Sequence, residues 1–216
     1  ADWSGVDKCW KLTALNEATG ETEHYTANFM VGCTGYYNYD QGYKPDFPGE
    51  SDFRGQIVHP QHWPEDLDYT GKKVVVIGSG ATAITLVPTM AEKAAHVTML
   101  QRSPTYLMPL PSTDKVTLAL QKVLPEKTAY RLTRARNISI SRFLYERSRK
   151  SPQFMRRLCL GIINRKVGDT AEMRHFTPDY NPWDQRLCVV KDGDLFQAMK
   201  AGKASIATDH IDRFTE

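Results

Sequence analysis

Gly78-Ser79-Gly80-Ala81-Thr82-Ala83 follows directly on the apolar run Val74-Val75-Val76-Ile77. This Gly-x-Gly-x-x-Ala spacing suits one task, holding a diphosphate. Gly78 permits a tight turn from strand to helix, Gly80 lets backbone amides approach the phosphates, and Ala83 allows the helix to pack closely on the strand. The helix that starts here adds partial positive charge at its N-terminus. Ser79, Ala81 and Thr82 complete the cradle. A strand before the glycines and a helix after them is the context that a dinucleotide fingerprint requires.

The residues ending the next apolar run choose between the two nicotinamide cofactors. An acid there would accept a hydrogen bond from the ribose 2′-hydroxyl of NADH and repel a 2′-phosphate. The chain reads Gln101-Arg102-Ser103-Pro104-Thr105, with no acid nearby in sequence. A guanidinium grips phosphate through two donors at once. Arg102 therefore predicts NADPH, with Ser103 and Thr105 as further donors; a solvated Arg after a strand is the other reading.

Two further segments carry a resemblance. Residues 53–64, FRGQIVHPQHWP, fit Phe-x-Gly-x-x-x-His-x-x-x-Trp-Pro, with Phe53, Gly55, His59, Trp63 and Pro64 at the fixed positions. The fingerprint begins fourteen residues after Pro64. This ordered pair, together with CTGYYNYDQGY, VTMLQRSPTY and YNPWDQRLC, resembles the Baeyer–Villiger monooxygenases, which use NADPH and FAD. The resemblance implies that the 53–64 segment couples NADPH binding to the catalytic conformation, with His59 as a positioning residue and Trp63 at the cofactor. A packed loop, with Phe53 and Trp63 buried and Gly55 in a turn, is the alternative. The resemblance further implies that Arg186 is catalytic, a cation over the flavin that stabilises its negatively charged forms, and that Gln185 stands where some relatives have Lys. A fixed cation beside a developing anion in a dry site contributes several kcal/mol. A surface Arg entering a strand is the plainer reading.

These residues need elements to hold them. The fold class expected is α/β: a Rossmann-like NADPH-binding domain with an inserted helical subdomain, plus part of an FAD-domain β-sheet. CWKLTAL (9–15) and HYTANFMVG (24–32) read as strands joined around Thr19-Gly20. They lead into Cys33-Thr34-Gly35-Tyr36, similar to the linker of flavoproteins with two dinucleotide folds. Residues 37–71, rich in Pro, read as an irregular connector. From 72 the pattern is strand, helix over 81–93 kinked at Pro88, and strand 96–100. Residues 115–166 are helical, with the insertion spanning about 112–170. LCVV (187–190), a helix over 194–200 and ASIAT (204–208) complete the NADPH-binding domain, 72–216.

Composition bounds the remainder. Hydrophobic residues at 41% and charged residues at 25% fit a globular chain and exclude a disordered one. No apolar stretch is long enough to span a membrane, and the first residues lack the pattern of a signal peptide. Cys9, Cys33, Cys159 and Cys188 are scattered, without metal-ligand spacing or a close redox pair. Reduced thiols and a cytoplasmic location follow as expectations, and a disulfide reductase is excluded. The net charge of +3 hides a contrast: 14 Lys and Arg against Glu126 and Glu146 within 115–166, and 14 basic against 23 acidic residues elsewhere. Such a block attracts phosphate or an acidic membrane surface. No nucleic-acid motif accompanies it, so no nucleic acid is expected.

As the resemblance implies, the chain is the NADPH-binding middle of a longer FAD-dependent enzyme that uses O2 to convert ketones to esters or to oxidise sulfur compounds. FAD is expected only in the full-length enzyme, since the flavin fingerprint that family members carry earlier is missing here. An N- or S-oxygenating flavin monooxygenase, and an NADPH-binding module inactive by itself, are the rival readings.

Overall fold

The run Lys73–Ile77 becomes strand β4 of a parallel sheet, and what surrounds it follows from where its side chains point. A computed structural model describes residues 1–35 and 37–216, which cluster as two units, Ala1–Lys44 and Pro45–Glu216. Tyr36, where the linker motif and the first expected domain end, lies outside the described residues.

The first unit is an antiparallel meander of β1 (Asp2–Ser4), β2 (Cys9–Leu15) and β3 (Thr22–Ala27). Asn16 builds the turn between β2 and β3. Its side chain accepts from the amides of Ala18 (3.1 Å) and Thr19 (3.3 Å), and Gly20 takes the left-handed φ of 74°. The turn sets the register from Leu15↔Thr22 to Trp10↔Ala27. β3 therefore ends at Ala27, short of the expected residue 32, close to where β2 runs out of residues to pair with it. Trp3 and Trp10, opposite each other, meet edge to face at 5.5 Å.

The second unit begins with an irregular path over 45–72. Then β4 (Lys73–Ile77) leads into α1 (Ala81–Met90) and β5 (His96–Gln101). β6 (Tyr106–Leu110) precedes three helices, α2 (Lys115–Val123), α3 (Glu126–Lys150) and α4 (Pro152–Val167). β7 (Leu187–Lys191), α5 (Asp194–Lys200) and β8 (Ala204–Thr208) close the unit. One parallel sheet has the order β4-β5-β8; β6 and β7 form a second parallel pair.

Alternation decides which face is covered. Val97, Met99 and Gln101 of β5 are buried, on the same side as Ile84 and Val87 of α1 and Leu195, Phe196 and Met199 of α5. On the opposite side of β4, Val75 and Ile77 are exposed. Phe176 and Tyr106 are wholly buried, and each such side chain contributes about 1.5–3 kcal/mol by leaving water.

The helical block forms where its periodicity predicts it, interrupted at Leu124-Pro125 and at Ser151-Pro152. Helix α1 stops at Met90 rather than Lys93: Pro88 has no amide hydrogen to give the Ile84 carbonyl, and only two further helical residues follow. Strand β6 was not expected. Pro104, Pro109 and Pro111 make its sequence read as loop, yet among the described residues β6 pairs with β7 alone, and Pro is tolerated on such an edge.

Candidate functional site

The fingerprint glycines do two different jobs. Gly78 has φ 135°, a region closed to most L residues, and its amide donates to the Leu100 carbonyl at 2.7 Å. That bond locks the turn against the end of β5. Gly80 is the N-cap of α1, with extended backbone at φ −78° that any residue adopts. Its missing side chain matters for another reason: a Cβ there would lie 3.2 Å from Arg186 Nη1. No side chain caps the helix, so the first-turn amides of Ala81, Thr82 and Ala83 have no intrahelical acceptor. Ala83 is buried, and a Cβ at Gly78 would come within 4.0 Å of its methyl group.

Arg186 is exposed and stands just before β7, with Gln185, also exposed, before it. It has no ion-pair partner among the described residues. A guanidinium without a carboxylate, beside the positive end of a helix, is an arrangement that an anion completes. Its backbone is well held: Thr105 and Tyr180 hydroxyls lie 2.9 Å apart, and the Tyr180 hydroxyl donates to the Arg186 carbonyl at 3.1 Å. Cys188, on β7, sets its sulfur 4.0 Å from the Ser79 carbonyl. Burial pushes the Cys188 thiol pKa up, opposed by the charge of Arg186, so the thiol stays protonated and inert.

At the end of β5, Arg102 and Ser103 are exposed, two and three residues beyond the Leu100 carbonyl that receives the Gly78 amide. Thr105 is different: it is buried, and its hydroxyl is spent on Tyr180 and Arg186. Its place is under the arginine rather than beside Arg102. The parallel pairing of β8 with β5 also brings an acid to this end, because the amide of Asp209 donates to the Gln101 carbonyl at 3.0 Å. No acid adjoins Arg102 in sequence, and Asp209 reaches this end of the sheet only through the pairing of β8 with β5. The Asp209 carboxylate accepts from the His210 amide.

The 53–64 segment explains its own glycine. A Cβ at Gly55 would fall 2.4 Å from the Phe53 ring, so only glycine lets that ring fold back over the chain. Phe53 and Trp63 are both 39% exposed, against the buried positions of the packed-loop reading. Phe53 meets Phe214 edge to face at 5.8 Å, and Arg213 pairs with Asp52 at 2.6 Å. His59 Nδ1 accepts from the Gln61 amide at 3.3 Å, capping the short helical turn Pro60–His62, and Trp63 packs edge-on against Tyr69. His59 and Trp63 thus bond locally, whereas Gly80, Thr105 and Arg186 converge.

A family model for flavin-binding monooxygenase-like proteins matches residues 2–168. The chain belongs to the flavin-binding monooxygenase-like family. It is 56% identical over 220 residues to the putative FAD-containing monooxygenase MymA of Mycobacterium tuberculosis, covering 100% of this chain and 44% of that protein. It is 52% identical over 218 residues to the FAD-containing monooxygenase EthA of Mycolicibacterium smegmatis, again covering 100% and 44%. The chain therefore spans less than half the length of these curated relatives. Among solved structures, OTEMO in complex with FAD and NADP superposes with a TM-score of 0.63 at 21% identity, over 99% of this chain and 47% of that one. At that identity the likeness concerns the fold, and it agrees with the α/β class expected here.

The family member also has site-side residues that spacing did not reveal. Gln101, buried, donates through Nε2 to the His175 carbonyl (2.7 Å) and to Thr208 Oγ1 (2.8 Å). Thr208 Oγ1 lies 2.7 Å from His175 Nδ1. With Gln101 as donor, the Thr208 hydroxyl is free to donate to a neutral His175. Burial, then the charge of Arg174, pushes the His175 pKa down. No local pattern signals this network; the paired ends of β5 and β8 create it. Among the described residues no His, Cys, Asp and Glu group could hold a metal ion, and no helix is long and apolar enough to cross a membrane.

Proposed function

We propose that this chain is the NADPH-binding portion of an FAD-dependent monooxygenase of the Baeyer–Villiger type, acting in the full-length enzyme on ketones or sulfur compounds with O2. One observation carries the reading: the Arg186 guanidinium, without an ion-pair partner among the described residues, lies against Gly80 at the uncapped N-terminus of α1. The residues fit a dinucleotide, since Gly78 holds a turn only glycine adopts readily and a side chain at Gly80 would crowd the space before Arg186.

In this reading the amides of Ala81, Thr82 and Ala83 hold the diphosphate, and Ser79 and Gly80 give it close approach. Arg186 closes the cradle from the opposite side and, in the full-length enzyme, keeps its proposed catalytic role as the cation that would stabilise the negatively charged flavin. Arg102 and Ser103, at the end of β5, take the 2′-phosphate, while Thr105 supports Arg186 from beneath. When bound, the nicotinamide supplies hydride and FAD supplies the oxygen chemistry. His59, Trp63 and Gln185 keep their proposed roles in the full-length enzyme, His59 positioning its own loop and the other two lying at the cofactor.

Calorimetric titration with NADPH and NADH tests this directly, with an absorbance spectrum taken first. NADPH binding with Kd on the order of micromolar, and much weaker NADH, is the expected outcome. Arg102→Glu should weaken NADPH by roughly tenfold to a hundredfold, the value of a lost charge-assisted hydrogen bond, and leave NADH nearly unchanged. Equal loss for both cofactors would refute Arg102 as the discriminator.

The proposal extends to the basic helices. Ile138, Ile140 and Phe143 of α3 are exposed by 53%, 49% and 61% among Arg134, Arg142 and Arg147. That mixture suits an acidic membrane surface. Sedimentation with phosphatidylglycerol vesicles should show binding at low salt that high salt removes; no binding at low salt ends this part.

A further inference from the structure

The loop that presents Arg186 is built in an unfavourable way. Trp183 has φ 71°, a left-handed conformation that bulky residues avoid, and it stands within the turn closed by the Asp184 amide on the Asn181 carbonyl at 3.0 Å. Its ring is 46% exposed, so burial does not impose the conformation. Strained backbone persists where its surroundings over-determine it. Here those surroundings come from the helical insertion.

Helices α3 and α4 touch the loop residue after residue. Arg156 Nη1 donates to the Tyr180 carbonyl and to the Tyr106 hydroxyl, both at 2.9 Å, and that hydroxyl donates to the same carbonyl at 2.7 Å. Arg149 pairs with Asp184 at 2.5 Å, and Tyr145 stands edge-on to Trp183 at 6.2 Å. From Tyr180 the chain of bonds reaches Arg186 itself, through the hydroxyl that donates to its carbonyl. The hold is thus on the backbone at both ends of the turn, and among the described residues no carboxylate pairs with the guanidinium.

We infer that Tyr145, Arg149 and Arg156 are positioning residues: the helical insertion sets where the Arg186 guanidinium stands relative to Gly80. This rests on the reading that Arg186 faces a bound phosphate. It gives the basic insertion a role in cofactor affinity that involves no contact with the cofactor. A shift of α3 or α4 is then transmitted to the diphosphate site through the 180–186 loop.

The test is a double-mutant cycle on this chain, read by NADPH calorimetry and by hydrogen exchange over 183–187. The clasp variant Tyr145→Ala/Arg149→Ala changes exposed side chains, and Tyr180→Phe removes the hydroxyl beneath Arg186. Each is expected to weaken NADPH by roughly three- to tenfold, to speed exchange in the loop and to leave exchange in α4 unchanged. In an Arg186→Ala background neither should weaken binding further. The charge-swapped pair Arg149→Asp/Asp184→Arg should recover part of the loss. Unchanged affinity in the clasp variants, or an equal loss without Arg186, overturns the inference. If Arg186→Ala itself leaves NADPH affinity intact, the phosphate reading of Arg186 has failed; loop exchange then decides the clasp alone, faster exchange supporting it and unchanged exchange overturning it.

Discussion

Gly78 and Gly80 belong to one fingerprint, and replacing them should produce opposite outcomes. At Gly78 a Cβ would find room, its nearest neighbour lying 4.0 Å away, but φ 135° is denied to alanine. Gly78→Ala should therefore destabilise the fold by about 1 kcal/mol or more, read as a lower Tm. At Gly80 the backbone accepts alanine and the conflict is with the mobile end of Arg186. Gly80→Ala should keep the Tm close to wild type and weaken NADPH roughly as much as Arg186→Ala, about tenfold. A large Tm loss at Gly80 would mean that its role is conformational. Both glycines were legible from spacing, since turn chemistry is local. The arginine that Gly80 accommodates was singled out by resemblance, and nothing in the spacing places it against the fingerprint.

Among elements, α2 depends on a cap that can be titrated. Asp114 accepts from the amides of Val116 and Thr117, from the Thr117 hydroxyl at 2.6 Å, and from Arg136 of α3. The Thr117 hydroxyl first, and Arg136 next, hold its carboxyl far below the usual carboxylate range. A carboxyl depressed in the folded state stabilises it above the ordinary pKa near 4, and this contribution fades as pH falls below that value. Wild-type helical circular dichroism and Tm should therefore decline on acidification with a component that Asp114→Asn lacks. Identical acid profiles for the two would show that the cap does not govern α2. The helices themselves were visible in the chain because apolar residues recur at their own period. β6 was not, because Pro109 argues against a strand until its place on an edge is known.

At the scale of the molecule, the ends of β5 and β8 are joined to the turn Met173–Phe176 through Gln101, Thr208 and His175. Protonating Nδ1 of His175 would remove the acceptor for the Thr208 hydroxyl, and burial already lowers its pKa. The neutral form is the folded one. An unfolded chain takes up a proton below about pH 6.5 more readily than the folded chain does, so stability should fall as pH drops from there toward the lowered folded value. Chemical denaturation of wild type and His175→Gln across pH 5 to 8 checks this: the variant should lose the slope in that window. A slope that survives the substitution would assign it to another group.

Local order was decided by the sequence itself: the turn at Gly78, the strand before it and helix after it, the helical block and its charge. Each of these depends on residues a few positions apart, where periodicity, φ preference and capping act. Tertiary structure decided what meets what. Cys188 reaches Ser79 across 109 residues, Phe214 covers Phe53, and Asp209 arrives at the end of β5. The Asp209 contact follows from the parallel register of β5 and β8, and the other two from chain paths that bring distant segments together. Neither is written in the spacing of neighbouring residues, because long-range pairing is selected by the burial of the whole core rather than by any one segment.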